Sequence, residues 1–160
     1  DAFCCITGVK RLHPLANGAW AWLAPGSSWG WSNAGLIVDG EESMLIDTLF
    51  DLALTSEMLE KMQDVEPLAK HVDTLINTHA NGDHCHGNAL VSGAEIIAST
   101  ASALEMTELT PETMAELMAQ AGEFGAVGKY FQHCFGEFNF DGIPFTPDDA
   151  SPVDVLVNRN

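Results

Sequence analysis

Between Val9 and Thr48 the chain changes polarity in short bursts. Gly18 to Leu23 sets large residues against small ones, Gly35 to Val38 is apolar, and Ser43 to Met44, Leu45 and Ile46 returns to apolar character after Asp39-Gly40. Runs of this length predict β-strands, and the Asp-Gly pair predicts a hairpin joining the last two. The period then changes. Beyond Asp51, residues Leu52, Thr55, Leu59 and Met62 recur at three- and four-residue spacings and Pro67 lies past them, which predicts an amphipathic helix. Val72 to Asn77 is a β-favouring run that stops at the polar, glycine-containing segment Thr78 to Asn88, read as a loop. Glu95 to Ala98 offers a further short strand. Thr110 as N-cap and Pro111 at the first helical position open another helix, whose Met114, Leu117, Met118 and Ala121 share one face and read as core.

From Gly122 onward the pattern fades, because Gly125, Gly128, Gly136 and Gly142 interrupt an aromatic-rich stretch. Residues 148–160 carry Val153, Val155, Leu156 and Val157 and read either as a final strand or as a tail. Strand, helix, strand, loop, strand is an α/β order in which helices cover at least part of a sheet. With 160 residues, 46% of them hydrophobic, the chain makes one domain, assigned to residues 1–147 with the strand or tail at 148–160.

Charge narrows the partners. Six basic residues against 23 acidic ones give a formal charge of −17, which repels phosphate backbones and anionic lipid, so neither nucleic acid nor membrane is expected to bind. No apolar stretch reaches bilayer length. Asp1 opens the sequence without a charged segment leading into an apolar one, and the four cysteines, Cys4, Cys5, Cys85 and Cys134, form no CxxC pair. A reducing cytoplasm is the expected compartment.

Thr78 to Asn88 carries the chemistry. His79, Asp83, His84, Cys85 and His86 fall within eight positions, alongside Asn81. Imidazole and carboxylate are good zinc ligands, and a glycine-containing turn after a strand lets side chains converge on one point. The alternative makes these histidines loop caps or surface residues.

His79-x-Asn81-x-Asp83-His84 resembles the His-x-His-x-Asp-His signature of the metallo-β-lactamase superfamily. Asn33 to Val38 and Leu45-Ile-Asp-Thr48 extend the resemblance, and Asp47 falls at the acidic position that supports the ligands. The likeness covers Val9 to Glu137. It implies one half of an αββα sandwich: a mixed sheet with helices on one face, completed by homodimerisation. It also implies one or two divalent ions, zinc in the first place with manganese or iron as alternatives. His79 would hold the first ion, Asp83 and His84 the second. Asn81 departs from the signature and would either ligate weakly or orient a water or substrate oxygen; His86 is not a position of the signature but could supply the missing imidazole. Asp83 would hold metal and orient the nucleophile.

The family's second half, with its further histidines and bridging aspartate, has no counterpart here, so ligands from a partner copy are expected, with His86, His133 and Cys85 as donors. Trp29 and Trp31 form either an apolar wall for a leaving group or part of the core. The resemblance implies hydrolysis of ester-like bonds, and the few basic residues point to small neutral substrates such as lactones or phosphotriesters, with phosphodiesters and β-lactams also within the class. The rival is a non-catalytic remnant that folds, dimerises and holds a structural metal.

Overall fold

The computed structural model describes residues 10–24, 29–145 and 150–153. Among them, seven strands form one sheet in chain order: β1 (Arg11–Pro14), β2 (Ala19–Leu23), β3 (Ala34–Asp39), β4 (Glu42–Ile46), β5 (Thr74–Asn77), β6 (Glu95–Ser99) and β7 (Ala150–Val153). The first four run antiparallel, and β4 to β7 run parallel. The Asp39-Gly40 hairpin is present, with Asp39 opposite Glu42 across a two-residue connection. β7 falls inside the segment read as strand or tail; the expected boundary at 147 lies outside the described residues.

Parallel neighbours need crossovers, and helices supply them. α1 (Leu52–Val65) joins β4 to β5, and its N-cap Asp51 accepts a hydrogen bond from the Leu54 amide at 2.8 Å. The other Asp51 oxygen accepts from the Asn139 amide at 3.1 Å, so one buried carboxylate fixes both the helix start and the returning chain. A four-residue helix, α2 (Gly82–Cys85), stands where a loop was expected. α3 (Thr100–Glu105) follows β6 directly, and α4 (Pro111–Gln120) opens on Thr110, whose side chain accepts from the Thr113 amide. α5 (Gly125–Phe135) occupies the stretch that gave no periodic signal. There Gly128 is pressed against α4's end: a Cβ at that position would lie 1.6 Å from the Ala121 carbonyl oxygen. The glycine that weakens the sequence signal is what lets α5 fold back onto α4.

Alternation divides the sheet into two unlike faces. Trp22, Leu36, Leu45 and Leu75 point to one side and bury against Met58, Leu59 and Met62 of α1. Further along the same face, Ala98 meets Met106 and Cys85. The other face carries a row that crosses five strands in register, Ala21, Gly35, Ile46, Ile76 and Ile97, and these residues are only half-buried. The helices therefore lie on one face of a mixed sheet. No helix among the described residues is long and apolar enough to cross a membrane.

Candidate metal centre and adjoining pocket

β4 and β5 are parallel neighbours, with Ile46 opposite Ile76, so the residues that follow them emerge side by side at the sheet's carboxyl end. Asp47 follows β4. Its amide donates to the Ile76 carbonyl at 2.9 Å, and its backbone turns into the left-handed region at φ 62°, a conformation that Asp tolerates better than most residues. Its carboxylate is 4% exposed and accepts three hydrogen bonds: from the Thr78 amide at 2.7 Å, the Thr78 hydroxyl at 2.7 Å and His84 Nδ1 at 2.9 Å.

This network assigns protons. An ionised carboxylate only accepts, so His84 carries a hydrogen on Nδ1, and in its neutral form the ring presents Nε2 as a lone pair. The Thr78 hydroxyl has given its only proton to Asp47 and therefore accepts from His79 Nδ1 at 2.9 Å. His79 also presents Nε2. The two rings lie 4.1 Å apart between centroids, and an Asp83 oxygen sits 3.6 Å from His84 Nε2. Burial disfavours the protonated His84 ring, but the Asp47 hydrogen bond and the charges of Asp83 and Asp47 outweigh it and raise the pKa above the ordinary value.

The backbone beneath these side chains is fixed from several directions. The His84 carbonyl accepts from the Thr48 amide at 3.0 Å and from Asn77 Nδ2 at 2.8 Å. Asn88 returns a hydrogen bond to Asn77 Oδ1 at 2.8 Å and accepts from the Thr48 hydroxyl at 2.9 Å. The Ser32 hydroxyl donates to the Asp83 carbonyl. The side-chain amides of buried Asn77 and half-buried Asn88 thus do for α2 what a longer helix would do for itself. Sequence reading passed over Ser32, Asn77, Thr78 and Asn88 as site residues; only their nearness to the histidine cluster offered a signal.

Asn81 caps the start of α2 with no side-chain capping bond, and it is exposed beside Asp83. His86 goes elsewhere. Residues two apart on a helical turn point in nearly opposite directions, and the His86 ring lies under Gly82, where a Cβ would come within 2.4 Å of it. There it packs against Phe50 and Phe145, with Nε2 3.3 Å from the Leu109 carbonyl oxygen. The expectation that His86 supplies the missing imidazole is accordingly corrected: it is a core residue, and burial lowers its pKa to about 4. Cys85 is fully buried, donates towards the Ala80 and Asn81 carbonyls, and has its thiol pushed up to about 12 by burial and by Asp83 and Asp47. His133 is exposed on α5.

Two imidazoles with free Nε2 atoms and a neighbouring carboxylate are a donor set that suits zinc or a similar divalent ion. Among the described residues, no three His, Cys, Asp or Glu side chains close on a common point. His79, Asp83 and His84 are neighbours in this segment, with the two rings 4.1 Å apart and Asp83 beside His84.

Trp29 and Trp31 separate. Trp29 is 68% exposed and lines, with Asn81 and Asp83, a pocket of about 300 Å³. Trp31 does not line it; its ring packs 5.3 Å from Phe138 with Lys10 Nζ over its face, so the core alternative holds for Trp31.

The family model of the metallo-β-lactamase superfamily matches residues 28–156. The chain belongs to that superfamily. No curated protein matches it. Among solved structures, a metallo-β-lactamase from Hirschia baltica shares 27% identity, with a TM-score of 0.50 over 62% of this chain and 48% of that one. The metallo-β-lactamase FIM-1 from Pseudomonas aeruginosa, solved in a mono-zinc form, shares 21% over 69% and 49%, with a TM-score of 0.50. A metallo-β-lactamase from Pontibacter korlensis shares 21% over 62% and 48%, at 0.53. The last two similarities show the fold alone. This superfamily member spans about half the length of the solved structures it matches.

Two expectations follow from the geometry. Asn tolerates the left-handed backbone as Asp does, so Asp47→Asn removes the charge while keeping the turn; zinc affinity measured by competition with a chromogenic chelator should fall about 10- to 100-fold, the range for losing a ligand's supporting carboxylate. His86 is neutral when folded, whereas the unfolded chain takes up its proton near the ordinary value of 6.5. Its contribution is therefore fully present above 6.5 and lost as pH falls towards 4, at about 1.4 kcal/mol per pH unit and about 3 kcal/mol in all. Urea unfolding of the metal-free protein between pH 7 and 4 should show that slope, and His86→Phe should flatten it.

Proposed function

We propose that the chain carries the metal-binding half of a hydrolase that acts on ester-like bonds of small neutral molecules, lactones and phosphotriesters foremost and phosphodiesters next. The observation that carries this reading is the hydrogen bond from His84 Nδ1 to Asp47, which leaves Nε2 free beside His79 and Asp83. His79, Asp83 and His84 would hold the ion. When bound, a divalent ion such as zinc, or manganese or iron in its place, lowers the pKa of water and polarises the carbonyl or phosphoryl oxygen under attack.

The chain's own groups do the rest. Asp47 keeps the proton of His84 on Nδ1, and Thr78 does the same for His79, so both rings stay in the tautomer that can ligate. Asp83 holds a carboxylate where an attacking water's proton can be accepted. Asn81, whose side chain makes no capping bond to the helix, would steady a substrate oxygen. Trp29 supplies an apolar edge against a leaving group. Asp83→Ala should abolish hydrolysis of chromogenic lactone and phosphotriester substrates and lower the zinc content measured by mass spectrometry. His13→Ala and His71→Ala should leave both nearly unchanged. Equal losses in all three, or turnover that survives complete chelation, would count against the reading. Tightly held metal with no turnover would favour the non-catalytic remnant instead.

The incomplete donor set and the open face of the sheet support a partner. We propose that two copies pair through the row Ala21, Gly35, Ile46, Ile76 and Ile97, burying a half-exposed apolar band that crosses five strands. Sedimentation at micromolar concentration should give a dimer, and Ile76→Lys should shift it to monomer. A well-folded wild-type monomer contradicts the pairing.

A further inference from the structure

The helices that the sheet does not need are the ones that build the pocket. α1 covers the sheet's central strands and α3 packs on β6 and β7, but α4 and α5 pack on each other and on a separate apolar cluster around Phe50, Phe138 and Phe140. Between them and the metal-donor segment lies the cavity of about 300 Å³, at the lower end of the range for small-molecule sites. Its walls are Leu109, Met114, Leu117, Phe131, Phe135 and Phe50. Asn81, Gly82 and Asp83 of the donor segment also line it, as does Trp29.

The polarity is one-sided. Every polar side chain among the described lining residues comes from the segment at 81–83 or from the Trp29 indole, and none of the lining residues is basic. An anionic substituent placed there would meet Asp83 and an apolar wall with no cation to pair with, at a substantial desolvation cost. A neutral hydrocarbon arm has no charge to desolvate and gains by leaving water. Gly82 packs on the His86 ring, which packs on Phe50, so two lining residues of the pocket, Gly82 and Phe50, are joined through the buried His86.

We propose that α4 and α5 form a specificity pocket for an uncharged apolar arm of the substrate, an alkyl or aryl group joined to the bond held at Asn81 and Asp83. This deepens the hydrolase reading above and rests on it for the reaction, but not for the binding. Met114, Leu117 and Phe131 are the specificity-determining wall, and the arm extends from the metal donors towards α5.

The test separates binding from chemistry. A homologous series of methyl ketones, from butanone to decanone, cannot be hydrolysed and probes the pocket in the chelated protein. The Met114 methyl resonance and Trp29 fluorescence should both respond, and affinity should rise about fourfold per added methylene until the cavity is full. Leu117→Asp should abolish this length dependence while zinc uptake stays unchanged, which shows that the variant still folds. Binding without length dependence, or a response that leaves the Met114 methyl unmoved, overturns the pocket. In the zinc-loaded protein, neutral nitrophenyl esters of matching chain length should show the same ranking in kcat/KM. If the ketones rank as stated and no ester is turned over, the pocket stands and the hydrolase reading falls.

Discussion

A single buried carboxylate organises the functional end of this molecule. Asp47 leaves β4 on a left-handed backbone, and its two oxygens collect three donors from Thr78 and His84. A carboxylate withdrawn from water without partners is strongly destabilising, so the burial of Asp47 requires those hydrogen bonds, and they in turn fix where β5 ends and where α2 begins. The tautomers of both candidate metal ligands are consequences of the same arrangement. Electrostatics and geometry are thus one constraint here.

The sheet supplies the platform on which that constraint acts. Parallel pairing of β4 with β5 brings residues 47 and 78 together, and α1 buries the face beneath them through Met58, Leu59 and Met62. Polar amides at Asn77 and Asn88 then carry the donor segment across the strand ends. Beyond it, the aromatic cluster of Phe50, Phe138 and Phe140 marks an abrupt change to apolar surroundings. Donors on one side and hydrocarbon on the other give the site its direction. The same sheet presents its second face with isoleucines only half-buried, so the described chain has one finished side and one open side.

Much of this was legible in the residues themselves, where the signal is local. The Asp39-Gly40 hairpin, α1 with its three- and four-residue spacing, the strand ending at Asn77 and the Thr110-Pro111 helix start all follow from short-range stereochemistry. The suspicion attached to His79, Asp83 and His84 rests on their clustering, and the support expected of Asp47 on the resemblance to the superfamily. What escaped depends on contacts across the chain. α5 was invisible because Gly128 reads as a helix breaker until Ala121 is seen against it. His86 looked like a ligand because it is close in sequence, but a helical turn sends it to the opposite side of the segment, into the aromatic core. Met114 and Leu117 read as core; Met114 is buried, but Leu117 is half-buried, and both line a cavity that no periodicity announces.

The central claim is that His79 and His84 ligate through Nε2 because Thr78 and Asp47 hold their Nδ1 positions. Long-range nitrogen-proton correlation spectra of the histidine rings, recorded as zinc is added to the chelated protein, test it most directly. The account predicts that Nε2 of His79 and His84 shifts on binding, that Nδ1 of both stays protonated, and that the rings of His13, His71, His86 and His133 do not respond. Ligation through Nδ1 of His84, or a response centred on His86 with His79 and His84 unmoved, would contradict it.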